Sequence, residues 1–394
     1  MQAHVPPSLP QPDPTSLEHS GRVADYIRSR IAEAGGSIAF AEFMHHALYA
    51  PGLGYYTAGS TKFGAEGDYV TAPEVSAVFG RVLARQCAEV LGQVRDGAIL
   101  EYGAGSGKLA VDVLESLARL DTLPSKYLIL EVSPDLRERQ EIYVHERLPL
   151  YADLVEWVDD VPDRLRGVII ANEVLDSIPV ERFVRRDAGV MQLRVTARDD
   201  SFDYVEAPAP ENVARYVGVV ERDLGCRLPD GYVSEICLAT SPWIGGMSHA
   251  LREGVAFLFD YGVSRREYFA PERTDGWLRC HFRHHAHNDA LALPGIQDLT
   301  AWVDFSSVAA AAVAQGFDIA GYSAQAQFLM AGGLDAEMRD FASLPLEEQL
   351  RLSQQVKTLT LPGEMGERFK CIALRKGHIA KPSAFSLADR AHTL

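Results

Sequence analysis

Apolar runs of strand length alternate with longer amphipathic segments between residues 97 and 175. The runs predict strands at 98–102, 127–131 and 167–171, and the amphipathic segments predict helices at 107–120 and 134–146. The third run is continuously apolar, which is typical of a strand covered on both faces. This alternation predicts an α/β domain built around a parallel sheet.

The flanking segments carry other patterns. Apolar residues at helical spacing predict helices within residues 17–95, interrupted by a glycine-rich connection at Tyr49–Pro73. Alternation at 181–185 and 191–197 predicts a β-hairpin. The remaining expected elements are a helix at 234–251, a strand at 254–260, irregular chain at 263–298, a helix at 304–314, a strand at 317–322, helices within 335–357 and a closing strand at 369–374.

These patterns also predict the domain organisation. The first 16 residues hold five prolines and neither Arg nor Lys, and we expect a disordered arm there. The other expected parts are an N-terminal helical cap with its glycine-rich loop at 17–95, an α/β domain at 96–377 with insertions at about 178–233 and 263–303, and a C-terminal tail at 378–394.

A glycine-rich turn follows the first predicted strand of the α/β domain. Gly103, Gly105 and Gly107 come after Glu101 in the pattern E-x-G-x-G-x-G, and glycine permits close approaches that a Cβ would block. A dinucleotide-binding turn, G-x-G-x-x-G, needs glycine at position 108, where this chain has lysine. A P-loop needs Ser or Thr after that lysine, where this chain has Leu109. The pattern resembles instead the first motif of S-adenosylmethionine (SAM) methyltransferases.

Polar side chains follow two further predicted strands. Glu131 ends the strand at 127–131, and Asn172, Glu173 and Asp176 follow the strand at 167–171. Open α/β sheets bind ligands at the carboxyl ends of their strands, where an acid can reach ribose hydroxyls. The sequence therefore predicts a nucleoside-containing cofactor at this edge of the sheet.

Composition narrows the classes of partner. The chain of 394 residues has 47% apolar residues and a formal charge of −16, which disfavours non-specific binding to nucleic acid or to an anionic membrane surface. Its five cysteines form no C-x-x-C pair and are read as reduced thiols. No apolar run reaches the roughly 18 residues of a membrane span. We expect a cytoplasmic bacterial protein that neither binds nucleic acid nor inserts into a membrane.

Five segments together resemble the MidA family of SAM-dependent methyltransferases, over about residues 20–375. They are Gly67–Glu74, Glu101–Gly107, Ala171–Asp176, Asp260–Gly262 and Pro294–Phe305. The resemblance implies a class I SAM-methyltransferase fold, with a Rossmann-like seven-stranded sheet whose last strand enters antiparallel to its neighbours. It also implies methyl transfer to a protein arginine and a role in respiratory complex assembly, because the family's mitochondrial member is an arginine methyltransferase needed to assemble respiratory complex I.

The resemblance implies roles for individual residues. SAM as cofactor would be bound by Glu101, Gly103, Gly105, Gly107, Glu131 and Asn172. The catalytic candidates are Asn172, Glu173, Asp176 and His284. A carboxylate such as that of Glu173 can hold a guanidinium through paired hydrogen bonds and accept its proton late in the transfer. The alternative for Glu173 is an acid that stabilises a helix N-terminus.

Several further residues are candidates for the substrate-binding loops. They are Thr71, Pro73, Glu74, Asp260, Asp298 and Asp304. Thr71 and Glu74 also have the spacing of a capping box, and Asp304 has the alternative of capping the next helix. Four histidines between residues 281 and 287 have spacings that allow zinc on a helix, but the segment lacks cysteine and we expect no metal.

Three other functions stay open at this stage. A small-molecule O- or N-methyltransferase would use the same cofactor, and a SAM-binding assembly factor would bind it without turnover. An NAD(P)-linked oxidoreductase is disfavoured by Lys108. The expected partner is a protein substrate, with a respiratory complex subunit as the candidate, and a homodimer is open.

Overall fold

The computed structural model describes Pro6, residues 9–58 and residues 71–394. Within these residues the strands are β1 (Ile38–Ala39), β2 (Ala98–Tyr102), β3 (Tyr127–Leu130), β4 (Val155–Val158), β5 (Leu165–Asn172), β6 (Glu181–Arg186), β7 (Gly189–Arg198), β8 (Ser201–Pro208), β9 (Val233–Ile236), β10 (Leu251–Val263), β11 (Leu278–Phe282), β12 (His285–His287), β13 (Asp298–Ala301), β14 (Val303–Asp304), β15 (Asp318–Ala324) and β16 (Phe369–Lys376).

The α-helices of the described residues follow in the same chain order. They are α1 (Pro14–Glu33), α2 (Phe40–Tyr49), α3 (Ala72–Val75), α4 (Ala77–Leu91), α5 (Lys108–Arg119), α6 (Pro134–Arg147), α7 (Glu211–Leu224), α8 (Thr240–Ala250), α9 (Arg265–Tyr268), α10 (Phe305–Ala314), α11 (Gln325–Ala331), α12 (Leu334–Glu337), α13 (Leu346–Thr360) and α14 (Met365–Arg368). None of these helices is both long and apolar enough to cross a bilayer.

The chain folds into two compact units. Unit 1 takes in the described part of residues 1–69 together with 176–240 and 264–302, and unit 2 takes in the described part of 70–175 together with 241–263 and 303–394. The insertions expected at 178–233 and 263–303 thus fall in one unit with the N-terminal helices α1 and α2. Helix α4, which the sequence placed in the N-terminal cap, belongs to unit 2.

Unit 2 contains a mixed sheet in the order β15-β16-β10-β5-β2-β3-β4, and the short strand β14 adds to β10 as an eighth member. Strands β10, β5, β2, β3 and β4 pair in parallel, whereas β16 runs antiparallel to both β10 and β15. The fold expected from the resemblance is therefore confirmed. Strand β4 was not predicted, because its sequence Val-Glu-Trp-Val is short and not continuously apolar.

The core of unit 2 explains its parallel sheet. The interior of β5 is buried, from Val168 to Ala171, because both faces of the strand are covered. Helix α5 presents Leu109, Val113, Leu114 and Leu117 to this core. Each such side chain contributes about 1.5–3 kcal/mol on full burial, so a charged residue at position 114 would disrupt the layer.

Unit 1 contains a five-stranded antiparallel sheet, β1-β7-β6-β9 with β8 paired to β7, and a three-stranded sheet, β12-β11-β13. The predicted hairpin is confirmed as β6 and β7. The helix predicted at 234–251 is instead strand β9 followed by α8, because residues 233–236 pair with β6. The segment 263–298, expected to be irregular, contains α9, β11 and β12.

The N-terminal end differs from expectation, and the C-terminal tail packs on unit 2. The predicted arm of residues 1–16 overlaps α1, whose N-cap Asp13 accepts a hydrogen bond from the Ser16 backbone N–H at 2.9 Å, and Leu9 is buried. Residues 1–5, 7 and 8 of that arm lie outside the described residues. In the C-terminal tail Phe385 is buried against Phe328 of unit 2, with ring centroids 5.7 Å apart.

Candidate functional site at the carboxyl edge of the unit 2 sheet

The glycine turn joins the carboxyl end of β2 to the start of α5. Gly103, Gly105 and Gly107 have φ angles of 63°, 57° and 82°, a left-handed region that side chains with a Cβ rarely adopt. Gly103 N–H donates to the Leu130 carbonyl at 3.0 Å, which ties the turn to the end of β3. The turn therefore exposes backbone at the sheet edge where open α/β sheets bind ligands.

Gln140 of α6 links the glycine turn to the acid at the end of β3. Its Nε2 donates to the Gly105 carbonyl and to Glu131 Oε2, both at 2.9 Å. Its Oε1 accepts from Trp157 Nε1 at 2.9 Å, and the residue is fully buried. An amide nitrogen has two hydrogens, so one buried side chain fixes the spacing between turn and acid.

Glu131 is held by backbone as well as by that amide. Its Oε1 accepts from the Ser133 N–H at 2.9 Å, and Ser133 in turn caps α6 by accepting from the Leu136 N–H at 3.4 Å. Hydrogen bonds to both carboxylate oxygens fix the orientation of the group. Glu131 is therefore a fixed acceptor beside the glycine turn.

The chain leaves the central strand β5 through Asn172 and Glu173. Glu173 has φ of 54°, an uncommon conformation for a residue with a Cβ, and its N–H donates to the Phe259 carbonyl at 2.9 Å. Asn172 Nδ2 donates to Glu173 Oε1 at 3.1 Å. Asn172 Oδ1 is buried and has no hydrogen-bond partner within the described part of the chain. Backbone strain and an unsatisfied buried acceptor at one turn are features that accumulate at functional sites.

Glu101 lies inside unit 2, below the turn. It is 2% exposed, and Tyr127 Oη donates to its Oε2 at 2.7 Å. Burial raises the pKa of Glu101 to about 7, and the nearby Glu131 charge adds to this shift. The side chain therefore supports the strands β2 and β3, while its backbone leads into the glycine turn.

The segment after the glycine-rich connection meets the turn through Glu74. Ser106 Oγ donates to Glu74 Oε1, so α3 contacts the glycine turn directly. The predicted capping box is wrong, because the Thr71 side chain makes no capping hydrogen bond and the helix spans only four residues. Pro73 is buried within this short helix. Residues 59–70 of the connection, including the start of the Gly67–Glu74 segment, lie outside the described residues.

Two of the predicted substrate-binding acids, Asp260 and Asp304, lie within secondary structure of unit 2. Asp260 is fully buried in β10 and stands opposite Lys370 in the antiparallel register with β16, where cross-strand side chains share a face. Asp304 accepts from the Ser307 N–H at 3.1 Å and caps α10. The capping interpretation of Asp304 is thus confirmed.

The other predicted site residues belong to unit 1. Asp298 is 2% exposed and accepts from Tyr56 Oη at 2.9 Å, and the Tyr56 ring stacks on Tyr49 with centroids 5.4 Å apart. The Asp176 carbonyl accepts from the Ala301 N–H at 2.9 Å. Asp298, Tyr56 and Tyr49 therefore form an acidic and aromatic cluster in unit 1. The bond between Asp176 and Ala301 joins the start of the first inserted segment to the end of the second.

His284 occupies an exposed turn. It follows Arg283 at the tip of the β11–β12 hairpin, with φ of 63°. The histidines from 281 to 287 thus lie on a hairpin and not on a helix, so the helical spacing for zinc does not apply. No three His, Cys, Asp or Glu side chains of the described residues are placed to hold a metal ion. The role of His284 as a proton acceptor gains no support from this position.

Gln140 is a residue of this edge that sequence reasoning missed. The structure brings together the glycine turn, Glu74, Glu131, Asn172 and Glu173 in unit 2, and Gln140 completes the group. A polar residue at an inward position of an amphipathic helix was the available signal, since Leu136 and Val144 mark the buried face of α6.

Comparisons with known proteins agree with this geometry. A family model for S-adenosyl-L-methionine-dependent methyltransferases matches residues 82–323. A crystal structure of a Burkholderia thailandensis protein bound to S-adenosyl-homocysteine is 37% identical, covers 98% of this chain and 100% of its own, and has a TM-score of 0.92. The mitochondrial protein arginine methyltransferase NDUFAF7 homolog of Drosophila melanogaster is 29% identical over 95% of this chain and 90% of its own length. The mitochondrial protein arginine methyltransferase NDUFAF7 of Mus musculus is 29% identical over 86% of this chain and 81% of its own.

Proposed function

Because the chain belongs to this family of SAM-dependent methyltransferases, we propose that it methylates arginine side chains of a protein partner. The names of the two mitochondrial relatives support the choice of arginine. The observation that carries the proposal is the turn after β5, where the Glu173 carboxylate is held beside Asn172 in a strained conformation. A carboxylate is the group that pairs best with a guanidinium.

The residues of this edge fit the cofactor. Glu131, held on both oxygens, would accept from the ribose hydroxyls, as strand-end acids do in nucleotide-binding sheets. The glycine turn would let backbone approach the amino-acid part of the cofactor. Asn172 Oδ1, a buried acceptor unsatisfied within the described residues, fits an amino group of the cofactor. Glu101 would act indirectly, by supporting the strands under the turn.

The proposed chemistry follows from these residues. When bound, SAM would supply an electrophilic methyl group, with S-adenosyl-homocysteine as the leaving group. Arginine is always protonated near neutral pH, with a reference pKa above about 12, so transfer needs a lone pair on the reacting nitrogen. Glu173 would hold the charge of the guanidinium on its other nitrogens and accept the proton that the methylated nitrogen releases. Fixed orientation of nucleophile and methyl donor supplies much of the remaining acceleration.

The test combines labelled SAM with candidate proteins, including respiratory complex subunits, followed by mass spectrometry of the products. We expect a methyl mark on arginine, lost in Glu173→Gln and retained in Glu138→Gln, a matched change at an exposed position of α6. Retained SAM binding with no methylated arginine on any protein would refute the arginine proposal.

Respiratory complex assembly is the proposed setting of this reaction. In cells that carry Glu173→Gln, we expect assembly of the respiratory complex to fail while the variant still binds SAM. Normal assembly with this variant would favour the alternative of a SAM-binding factor that acts without turnover.

Unit 1 offers a second acidic group for the protein substrate. We propose that Asp298, oriented by Tyr56 Oη, contributes to substrate recognition. Tyr56→Phe removes only that hydroxyl, so we expect a higher KM for the protein substrate and an unchanged affinity for SAM. A wild-type KM in this variant would contradict the role.

The bacterial cytoplasm is the proposed location. All five cysteines are free thiols, as expected in a reducing compartment. Fractionation of the native host, with detection of the chain in the soluble or the membrane fraction, would test this.

A further inference from the structure

Helix α8 runs from one edge of the unit 2 sheet to the other. Its last residue is followed directly by β10, so the end of α8 lies where β10 begins, at the amino edge. Lys376, which pairs with Gly254 near that edge, donates to Ser248 Oγ at 2.9 Å. A helix of 11 residues spans about 16 Å, comparable to a strand of five residues. Helix α8 is therefore long enough to reach the carboxyl edge, and the contact of Trp243 in its first turn with Tyr102 at the end of β2 places that turn there.

Trp243 in that first turn contacts the strand that leads into the glycine turn. Its ring lies edge-to-face on Tyr102, with centroids 5.4 Å apart and an interplanar angle of 62°. Tyr102 is the last residue of β2 and is 7% exposed. Ile244 and Met247 of α8 are fully buried and attach the helix to the core. Trp243 is only half-buried, so part of this residue stays accessible where the first turn of α8 contacts Tyr102.

The turn that follows Tyr102 adjoins the turn that carries the catalytic candidate. A Cβ placed on Gly103 would lie 3.4 Å from Val174 Cγ2, and Val174 follows Glu173 in the chain. The indole of Trp243, the glycine turn and the Glu173 carboxylate therefore share one edge of the sheet. No sequence motif pointed to Trp243, because it lies 70 residues beyond Glu173.

An aromatic face and a carboxylate together form a receptor for a guanidinium, since the ring attracts the cation and the carboxylate accepts its hydrogen bonds. This protein uses that pairing in unit 1. Arg182 Nε lies 3.1 Å from Glu235 Oε1, and its guanidinium carbon lies 5.0 Å from the centroid of the Tyr204 ring. We propose that Trp243 is a substrate-binding residue, whose indole packs against the arginine guanidinium that Glu173 holds. This proposal rests on the proposed arginine methylation.

The test measures binding without turnover. Protein saturated with S-adenosyl-homocysteine is titrated with N-acetyl-arginine amide and with its neutral isostere N-acetyl-citrulline amide, by calorimetry and by tryptophan fluorescence. We expect the arginine probe to bind more tightly than the citrulline probe and to change the emission. Trp243→Ala should weaken arginine binding about five-fold or more, the effect of a loss of roughly 1 kcal/mol, with the affinity for S-adenosyl-homocysteine within two-fold of wild type.

Two further variants separate recognition from structure. Trp243→Phe keeps an aromatic face, so it should retain most of the arginine affinity while the emission change disappears. Gly246→Ala is the matched control on the same helix, because an added Cβ there meets nothing within 4 Å. The proposal is overturned if Trp243→Ala binds arginine like wild type, if its affinity for S-adenosyl-homocysteine falls in parallel, or if wild type binds both probes equally. Failure of methyl transfer with preserved discrimination between the probes would instead refute the proposed reaction alone.

Discussion

Gln140→Leu tests whether one buried amide sets the geometry of the cofactor site. Leucine has a similar size but removes three hydrogen bonds, to the Gly105 carbonyl, to Glu131 and from Trp157. A bond to a charged group contributes about 1.5–3 kcal/mol and a neutral one about 1 kcal/mol. We therefore expect the free energy of unfolding to fall by about 3–5 kcal/mol.

The affinity for SAM should fall as well, by about ten-fold, or 1.4 kcal/mol, because Glu131 and the turn lose their shared donor. Urea unfolding measures the first quantity, and calorimetric titration with SAM and S-adenosyl-homocysteine at low temperature measures the second. Glu138→Gln, exposed on the same helix, is the control for both. Trp157→Phe removes only the donor to Gln140 Oε1 and should cost about 1–2 kcal/mol of stability, with affinity close to wild type. A folded Gln140→Leu protein that binds SAM with wild-type affinity would refute the reasoning.

Three further predictions follow from single residues. The free energy of unfolding of Glu101→Gln should exceed that of wild type by about 3 kcal/mol near pH 8 and equal it near pH 4. In the folded wild type the Glu101 carboxyl has a pKa raised from 4.5 to about 7, so as pH rises this group ionises in the unfolded state before it ionises in the folded state. The wild type therefore loses stability between these two pH values, whereas the neutral glutamine does not. Urea titrations across that range check this, and equal stabilities near pH 8 would contradict it. Asn172→Ala should bind SAM about ten-fold more weakly in calorimetry, because it removes the Oδ1 acceptor that is unsatisfied within the described residues. It should lower the free energy of unfolding by no more than about 1.5–3 kcal/mol, the contribution of the hydrogen bond that Nδ2 donates to the Glu173 carboxylate; a larger loss would show that the amide is mainly structural. Asp304→Ala should lower the melting temperature through the loss of about 1 kcal/mol, because it removes the cap on the Ser307 N–H, and Asp304→Asn should restore most of it.

The local parts of the site could be predicted from the sequence. The glycine turn and the acids at strand ends follow from short patterns, in which a strand, a turn and a helix are neighbours in the chain. The N-cap Asp304 was predictable as an alternative for the same reason. The resemblance to a family added the number of strands and the antiparallel direction of the last one, which periodicity cannot supply.

The parts that sequence reasoning missed depend on distant pairs. Gln140 bonds to Gly105, 35 residues away, and Trp243 reaches Tyr102 across more than a hundred residues. Thr71 had the spacing of a capping box, but α3 is too short and Glu74 bonds to Ser106 instead. In each case the contact depends on tertiary structure, which the local spacing of residues does not predict.

The discontinuous make-up of unit 1 has a consequence for synthesis on the ribosome. The apolar faces of α1 and α2 are buried against residues that include Val195, Leu278 and Leu299. Roughly 250 residues separate α2 from the last of these, and synthesis adds about 5–20 residues per second. Helices α1 and α2 are therefore synthesised tens of seconds before the residues that complete their core. During that interval Phe40 and Phe43 lack their native neighbours from the later segments, and the growing polypeptide is a natural client for chaperones.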